Sequence, residues 1–318
     1  MDHTGREAGS TAIVKALVVG FGSIGQRHAR LLDTLGCSVA VVSRREVDFP
    51  RRYPDISVAL SEFHPDYVVL AGRTAEHHDD LTALVEGDFA GRVLIEKPLF
   101  ECLREPSPHR FSHVAVAYNL RFHPLMLRLH EYLADQSRLV AAHAYVGQYL
   151  PQWRPDTDYR NSYSARRSEG GGVLRDLSHE LDYAHWLFGP WTRLTAMGGH
   201  HSELEIDSED VFSIMLETRR CPVVTLQLNY LDRKPRREIL IHTDSHSVRL
   251  DLIDGIFEID GELKETAKPD RDHTYLAEHR AMIAGDMAAM ASLDDGIEAM
   301  RMIDAAERAA QTCVWVAR

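Results

Sequence analysis

The fold of this chain is decided near its start, by the run Ala16-Leu17-Val18-Val19-Gly20-Phe21-Gly22-Ser23-Ile24-Gly25-Gln26-Arg27-His28-Ala29-Arg30. The apolar residues before the first glycine predict a short strand, and the glycine-spaced turn after them opens a helix. We expect this helix to run to about Leu35 and to stop at Gly36, because glycine is common just past a helix end. A second apolar run, Ser38–Val42, predicts the next strand. This order of elements indicates the start of a parallel sheet.

The turn has the G-x-G-x-x-G spacing, in which each glycine has a separate mechanical role. Gly20 would turn the chain off the strand, Gly22 would let the backbone approach a pyrophosphate, and Gly25 would let the helix pack on the strand. The helix start, at Ser23 and Ile24, would offer unpaired N–H groups and the positive end of its dipole to phosphates. We therefore predict dinucleotide binding here. A merely tight strand–helix turn is the alternative.

Composition argues against several classes of function. The 318 residues are 44% hydrophobic and 26% charged, enough for a large core and about two domains. The formal net charge of -12 disfavours binding to nucleic acid or to an anionic membrane, and no apolar run approaches the ~20 residues of a membrane span. The four scattered cysteines are typical of reduced thiols in a cytoplasmic protein and predict no metal site. Residues 1–12 are polar, and we expect a disordered leader.

The end of the second strand bears on which dinucleotide binds. About 20 residues past such a turn, an NAD-binding fold usually has an acidic residue for the ribose 2′-hydroxyl. Ser43 and Arg44 stand there instead. A hydroxyl and a guanidinium can bind a 2′-phosphate that an acid would repel, so we favour NADP over NAD. A solvated surface loop is the alternative explanation for Arg44.

Apolar runs at 67–71 and 92–95, with a helical pattern at 76–86 between them, continue this alternation. They predict a doubly wound, mostly parallel sheet with ligands beyond the carboxyl ends of its strands. Thr74 follows one of these strands and Glu96-Lys97-Pro98 follows the other. Lys97 is therefore a candidate active-site residue, and a surface lysine is the alternative.

Three motifs in this order resemble the Gfo/Idh/MocA oxidoreductase family, named for glucose–fructose oxidoreductase and inositol dehydrogenase: Gly20-Phe21-Gly22-Ser23-Ile24-Gly25, Glu96-Lys97-Pro98, and Gly170-Gly171-Gly172-Val173-Leu174-Arg175-Asp176. The resemblance implies an α/β fold with an N-terminal Rossmann domain, expected at 13–118. It also implies a C-terminal α/β domain with a large, mainly antiparallel open sheet, expected at 119–318. The implied reaction is hydride transfer between NAD(P) and a carbinol or ketone of a sugar, polyol or sugar-derived acid.

The resemblance also implies roles for single residues. By it, Lys97 is the active-site lysine, Glu96 and Lys97 border the cofactor, and Lys97-Pro98 is a cis peptide. Similar Asn-x-Arg-Phe segments line the cleft in relatives, which makes Asn119 and Arg121 candidate substrate-binding residues. The alternative for Arg121 is an ion pair with a nearby acid.

Residues 151–175 place arginines among aromatic rings in an otherwise acidic chain. This pattern indicates a mobile flap that meets an anionic or hydroxyl-rich ligand. We name Tyr159, Tyr163 and Arg166 as its candidate contacts. A charged, solvated loop is the alternative.

The helix after Gly172 carries the candidate acid–base groups. At about 100° per residue, Asp176, His179 and Glu180 share a wall with Tyr183, opposite an apolar stripe. Protic groups on one wall of a cleft suit proton transfer and hydroxyl recognition. The family pattern has histidine four residues after the aspartate, whereas this chain has Glu180 there and His179 just before it. Imidazole is the better base near neutral pH, so we choose His179, keep Glu180 as the alternative, and expect Asp176 to orient substrate and lysine.

The run from Asp176 to Asp182 resembles a branch of the family found with bacterial surface-sugar and sialic-acid-like pathways. Beyond Pro190 the pattern changes to strands with short connections, which favours antiparallel pairing. Such an open sheet needs its outer face covered, so we expect a homodimer or homotetramer through it. The paired histidines His200-His201 lack the context of a metal site, and we predict no metal.

We therefore expect a small sugar or polyol substrate, neutral or anionic, with NADP or NAD as the cofactor. Two other functions stay open. The shifted histidine favours a cofactor-binding sensor or a subunit without catalysis, and a net non-redox elimination with tightly held NAD(P) is a further possibility. The presence of Glu96-Lys97-Pro98 and Asp176 favours turnover.

Overall fold

The computed structural model describes residues 13–154 and 157–318, so the expected leader at 1–12 lies outside the described residues. The helices are α1 (Ser23–Thr34), α2 (Ile56–Phe63), α3 (His77–Glu86), α4 (Pro124–Ala134), α5 (Val173–Asp176), α6 (His179–Phe188), α7 (His273–Ala284) and α8 (Leu293–Thr312). The strands are β1 (Lys15–Val19), β2 (Ser38–Val42), β3 (Arg52–Tyr53), β4 (Tyr67–Leu70), β5 (Arg92–Ile95), β6 (His113–Val116), β7 (Leu139–Gly147), β8 (Trp191–Gly199), β9 (Val211–Thr218), β10 (Val223–Asn229), β11 (Arg236–Thr243), β12 (Ser247–Asp251), β13 (Ile256–Ile259), β14 (Glu262–Thr266), β15 (Ala291–Ser292) and β16 (Val316–Ala317). No helix among these is both long and apolar enough to cross a bilayer.

The first sheet has seven strands in the order β15-β6-β5-β4-β1-β2-β3. Strands β1 to β6 are all parallel, and only β15 runs antiparallel, against β6. Successive residues of β1 face opposite sides, as the pleat requires. Ala16 and Val18 pack toward α1 and α7, while Leu17 and Val19 join the larger core with α2 and α3. The predicted doubly wound parallel sheet is confirmed.

The glycine turn between β1 and α1 is shaped by close backbone contacts. Gly20 has a φ of +90°, and a Cβ there would lie 2.6 Å from the backbone of Gly72. A Cβ on Gly25 would lie 2.0 Å from the Gly20 carbonyl oxygen, so this position requires glycine for helix–strand packing. At Gly22 nothing lies within 4 Å of such a Cβ. Gly20 and Gly22 therefore differ in role. Of the three glycines in this turn, Gly22 is the one that faces open space.

The second sheet has nine strands in the order β14-β13-β12-β11-β7-β10-β9-β8-β16. Only β7 and β10 pair in parallel, so the predicted large, mainly antiparallel sheet is also confirmed. Helices α6 and α8 pack together on the inner side, and α8 also contacts β6 of the first sheet. The outer face carries exposed apolar side chains, among them Met197, Met215 and Leu240.

The chain returns to the first sheet after it has built the second. Helix α7 packs on the first sheet through Met282, which is fully buried, and β15 adds a strand at the edge of that sheet. The proposed domain boundary at residue 119 stays a prediction, but the segment 273–292 contacts the N-terminal sheet. This return places residues of α7 beside α1.

The differences from the sequence prediction lie mainly in short elements. Helix α2 and strands β3, β14, β15 and β16 have no counterpart among the predicted elements. The predicted single helix after Gly172 is two helices, because Leu177 and Ser178 interrupt it between α5 and α6. A break of this kind changes which side chains share a face, since the 100° step no longer runs through it.

We expect Gly25→Ala to lower the melting temperature, since its Cβ would meet the Gly20 carbonyl oxygen at 2.0 Å and overpacking costs about 1–3 kcal/mol. Gly22→Ala is the matched control, because it adds the same methyl group into open space. Thermal denaturation of both variants measures the difference. Equal melting temperatures for the two would contradict the close packing described for Gly25.

Candidate active site

Lys97 lies just beyond β5, at the carboxyl edge of the first sheet, and the Lys97–Pro98 peptide bond is cis. Its side chain is half-buried, and Nζ donates a hydrogen bond to the backbone oxygen of Asp176, 2.8 Å away. Asp176 ends α5, which belongs to the second half of the chain. This hydrogen bond therefore joins the two halves of the chain at the carboxyl edge of the first sheet, where ligands of parallel sheets usually bind.

The Asp176 carboxylate is buried and held by tyrosines. Tyr230, which follows β10, donates its hydroxyl to Asp176 Oδ2 at 2.6 Å. The negative charge of Asp176 and burial raise the pKa of Tyr163, whose ring is partly exposed and lies 5.7 Å from the Arg154 guanidinium. Burial and then Asp176 also raise the pKa of Tyr230. Both phenols keep their protons at neutral pH and can donate hydrogen bonds.

His179 and Glu180, although adjacent, lie in different environments. Glu180 is fully buried and accepts a hydrogen bond from Arg237 Nε at 2.9 Å, so its carboxylate is committed to an ion pair. Burial, together with the positive charges of Lys97 and Arg237, lowers the pKa of His179 well below its usual value. Its Nδ1 has no hydrogen-bond partner among the residues described. His179 is thus a neutral imidazole in the field of Lys97.

The Glu96 side chain turns away from the edge of the sheet and into the protein. Its Oε1 lies 2.8 Å from His28 Nε2, and its Oε2 accepts from the Lys97 backbone N–H at 3.1 Å. Burial alone would raise the pKa of Glu96, but the hydrogen bond from His28 and the nearby charges bring it below its usual value. Only the backbone of Glu96 could border a cofactor.

At the other end of the predicted cofactor site, Arg44 is exposed and forms an ion pair with Glu76. Ser43 is buried, and its hydroxyl donates to the Arg45 carbonyl at 2.9 Å. Burial and the charge of Glu76 raise the pKa of Asp80 to about 6. The arginine predicted to attract a 2′-phosphate is therefore already paired with a carboxylate.

Two of the predicted substrate-binding residues serve the packing of the protein. Arg121 is 2% exposed and forms a bidentate pair with Asp182, with bonds of 2.6 and 3.0 Å, and a longer contact of 3.3 Å to Asp295. Asn119 is buried and donates to Thr274 at 2.7 Å. The 3₁₀ turn 119–122 directs both side chains inward. The contacts of Arg121 are those of the alternative named from the sequence, an ion pair with a nearby acid.

Near the end of the arginine-rich segment, Gly170 lies 3.6 Å from Thr74, measured from an ideal Cβ, and Arg175 Nε donates to the Glu101 carbonyl at 2.9 Å. Tyr163 is the predicted contact that approaches Asp176. Tyr159 accepts a hydrogen bond from the Glu205 backbone at 3.3 Å, and Arg166 pairs with Glu169 at 2.8 Å. Those two residues are engaged locally in the described part of the chain.

Three residues next to the candidate catalytic groups were not foreseen from the sequence. Tyr118 follows β6 and meets the His179 ring edge-on, with ring centroids 5.5 Å apart. Tyr230 and Arg237 come from the end of β10 and the start of β11. Their only signal in the sequence is a polar side chain at a strand end, which is too common to single them out.

Comparison with known proteins agrees with this architecture. Residues 133–249 match the family model of the GFO/IDH/MocA C-terminal domain. An inositol 2-dehydrogenase of Acidothermus cellulolyticus is 26% identical over 242 residues, 68% of this chain and 66% of that protein. An uncharacterised oxidoreductase of Synechocystis sp. is 28% identical over 161 residues, 47% of this chain and 41% of that protein. The matches thus span less than two thirds of these curated relatives.

Solved structures share the fold over nearly the whole chain. GenD2 from gentamicin A biosynthesis, in complex with NAD, has a TM-score of 0.80 at 21% identity, covering 100% of this chain and 99% of that one. Levoglucosan dehydrogenase in complex with NADH has a TM-score of 0.83 at 16% identity, covering 96% and 98%. This chain thus matches the GFO/IDH/MocA C-terminal domain at 133–249 and shares its overall fold with these solved structures.

Proposed function

We propose that this chain is a nicotinamide-dependent oxidoreductase, which transfers a hydride between NAD(P) and a carbinol or ketone carbon of a sugar, polyol or sugar-derived acid. The observation that carries the proposal is the 2.8 Å contact of Lys97 Nζ with the Asp176 carbonyl, beside the neutral imidazole of His179. An ammonium and a base thus flank one spot at the carboxyl edge of a parallel sheet. The names of the relatives, an inositol 2-dehydrogenase and a levoglucosan dehydrogenase among them, support the same class of substrate.

The turn after β1 fits a dinucleotide pyrophosphate. No side chain caps the start of α1, so its first N–H groups are free for a ligand. The space over Gly22 is open. Gly20–Gly25 would hold the pyrophosphate, and Thr74 with the backbone of residues 96 and 97 would border the nicotinamide end. When bound, the nicotinamide supplies the hydride donor or acceptor.

The roles of the chain's own groups follow from their charge. Lys97, as an ammonium, stabilises the negative charge that develops on the substrate oxygen, and this is worth most where water is excluded. An imidazole nitrogen of His179 accepts the proton of the substrate hydroxyl during oxidation and returns it during reduction. Asp176 fixes the Lys97 side chain through its backbone oxygen, and its carboxylate orients the Tyr230 and Tyr163 hydroxyls.

The substrate side of the proposal includes an anionic group. Arg154, beside Tyr163, has no acidic partner within 4 Å among the described residues, and Tyr163 connects this cation to Asp176. We also propose that the exposed outer face of the second sheet, with Met197, Met215 and Leu240, is covered by another copy of the chain in a homodimer or homotetramer.

We expect Lys97→Ala to reduce kcat by about 10²- to 10³-fold, because it removes the cation aimed at the developing alkoxide. Dinucleotide affinity should change by about twofold or less, because the pyrophosphate contacts stay intact. Turnover is followed at 340 nm with a panel of sugars and sugar acids, and affinity by fluorescence titration. Lys264→Ala, on the exposed strand β14, is the control. Full activity of the Lys97 variant would refute the assignment.

We expect His179→Asn to lower kcat for oxidation by about 10²-fold and to abolish the acid limb of its pH profile. A base must be neutral to accept a proton, and the pKa of His179 is lowered. The wild-type rate should therefore stay level down through neutral pH and fall only well below pH 6.5, the ordinary pKa of histidine.

Glu180→Gln is the matched control for that variant. It should keep the acid limb while lowering the melting temperature, since it weakens the buried pair with Arg237. An acid limb that disappears in Glu180→Gln and persists in His179→Asn would show that Glu180, and not His179, is the base.

We propose NADP as the preferred cofactor, with Arg44 as the contact of the 2′-phosphate in competition with Glu76. Arg44→Ala should weaken NADP binding about tenfold and NAD binding by about twofold or less. Glu76→Gln should tighten NADP binding about threefold, because it frees the guanidinium. Arg45→Ala, at the adjacent exposed arginine, is the control. The dissociation constants of NADP and NAD measure these effects. Equal losses of affinity for both cofactors in Arg44→Ala would show that Arg44 does not contact the 2′-phosphate.

A further inference from the structure

A chain of four buried polar side chains runs along the face of the first sheet that packs on α1 and α7, and it ends beside Lys97. It comprises Tyr67 at the start of β4, His279 on α7, His28 on α1 and Glu96 just after β5, and we call it the buried histidine chain. Tyr67, His279 and His28 are fully buried, and Glu96 is 8% exposed. The proposed mechanism uses none of the first three. Such a buried network is costly unless it is fully hydrogen-bonded.

Every link in the buried histidine chain has hydrogen-bond length. The Tyr67 hydroxyl lies 2.9 Å from His279 Nδ1, and His279 Nε2 lies 2.9 Å from His28 Nδ1. His28 Nε2 then lies 2.8 Å from Glu96 Oε1. Both nitrogens of both imidazoles are therefore engaged, and no outside group is needed to satisfy them.

The carboxylate at the end of this chain fixes the direction of its last hydrogen bond. An ionised carboxylate only accepts hydrogen bonds, so His28 must donate from Nε2 to Glu96. The pKa of Glu96 is below its usual value, because the hydrogen bond from His28 and nearby charges outweigh burial, and this keeps the carboxylate ionised as the acceptor. Burial lowers the pKa of His279, so this imidazole is neutral and uses one nitrogen as donor and the other as acceptor, toward the Tyr67 hydroxyl and His28 Nδ1.

The last link of the chain meets the candidate active site. The second oxygen of Glu96 accepts the Lys97 backbone N–H at 3.1 Å, and the Lys97 side chain leaves from that residue toward Asp176. We propose that the buried histidine chain positions Lys97, by holding the Glu96 carboxylate in the rotamer that fixes the Lys97 backbone. His28, His279 and Tyr67 are then positioning residues, which act on the reaction without touching substrate or cofactor.

This inference rests on the proposed function, because it assumes that Lys97 acts on a substrate. Two links of the buried histidine chain join distant parts of the sequence: His279 contacts His28, 251 positions before it, and Tyr67, 212 positions before it, because α7 returns to the first sheet. The ammonium would thus be fixed only once α7 has docked. A purely structural role predicts loss of stability alone, whereas a positioning role also predicts loss of kcat.

A matched pair of variants at residue 28 separates the two roles. His28→Leu removes the donor to Glu96, and we expect kcat to fall about tenfold while KM and the dinucleotide dissociation constant change about twofold or less, since misplaced catalytic groups cost rate rather than binding. His28→Gln keeps an N–H donor near the position of Nε2 and should restore most of the rate. Equal turnover in both variants and the wild type overturns the inference, as does an equal loss in both.

Tyr67→Phe and nitrogen NMR keep the test decisive if His28→Leu does not fold. Tyr67→Phe removes only the hydroxyl at the far end of the chain, and we expect kcat to fall about threefold with unchanged dinucleotide affinity. In ¹⁵N-histidine-labelled wild type, His28 Nε2 should carry the proton that it donates to Glu96. Assignment comes from His28→Gln and His279→Gln.

The NMR result also distinguishes failure of this inference from failure of the proposed function. A wild-type protein without turnover but with a proton on His28 Nε2 would refute only the enzymatic assignment and the effect on Lys97. A wild-type protein with turnover and no proton on His28 Nε2 would overturn the role of the buried histidine chain while leaving the oxidoreductase proposal intact.

Discussion

The hydrogen bond from Lys97 Nζ to the Asp176 carbonyl joins the two halves of this protein where their chemistry meets. A lysine ammonium has three N–H donors, so this bond leaves two for a ligand. The acceptor is a neutral carbonyl, and the Asp176 carboxylate is bound by Tyr230 instead. The positive charge of Lys97 is therefore not cancelled by a direct ion pair, which matters because an ammonium stabilises a developing alkoxide through its net charge.

Helix α6 shows that the role of an ionisable side chain depends on its partners more than on its residue type. Glu180 is neutralised by Arg237 and Asp182 by Arg121, because a buried carboxylate without a cation would take up a proton. His179 lies just before them, at the start of α6, with an unpaired Nδ1 in the described structure and with cations nearby. Of these three groups, His179 is the one that can gain or lose a proton without breaking an ion pair.

The elements that could be predicted from the sequence are those with strong local signals. Strands β2 and β5 begin and end where the apolar runs at 38–42 and 92–95 do, and the G-x-G-x-x-G turn opens α1 as expected. The three family motifs identified the fold of both halves. The two-residue strands β3, β15 and β16 have no such pattern, because pairing partners distant in sequence decide whether so short a segment is a strand at all.

Within the site, sequence alone determined the positions that backbone geometry and strand order control: the glycines of the turn, and Lys97 at the end of β5. Tertiary structure decided the rest, since the role of a charged side chain depends on what surrounds it. Arg121 became half of a buried ion pair, Arg44 met Glu76, and the Glu96 carboxylate turned toward His28. The break at Leu177–Ser178 likewise separated His179 from the regular face of one helix. Periodicity places a residue on a face, but only the folded chain brings together the partners that fix its charge.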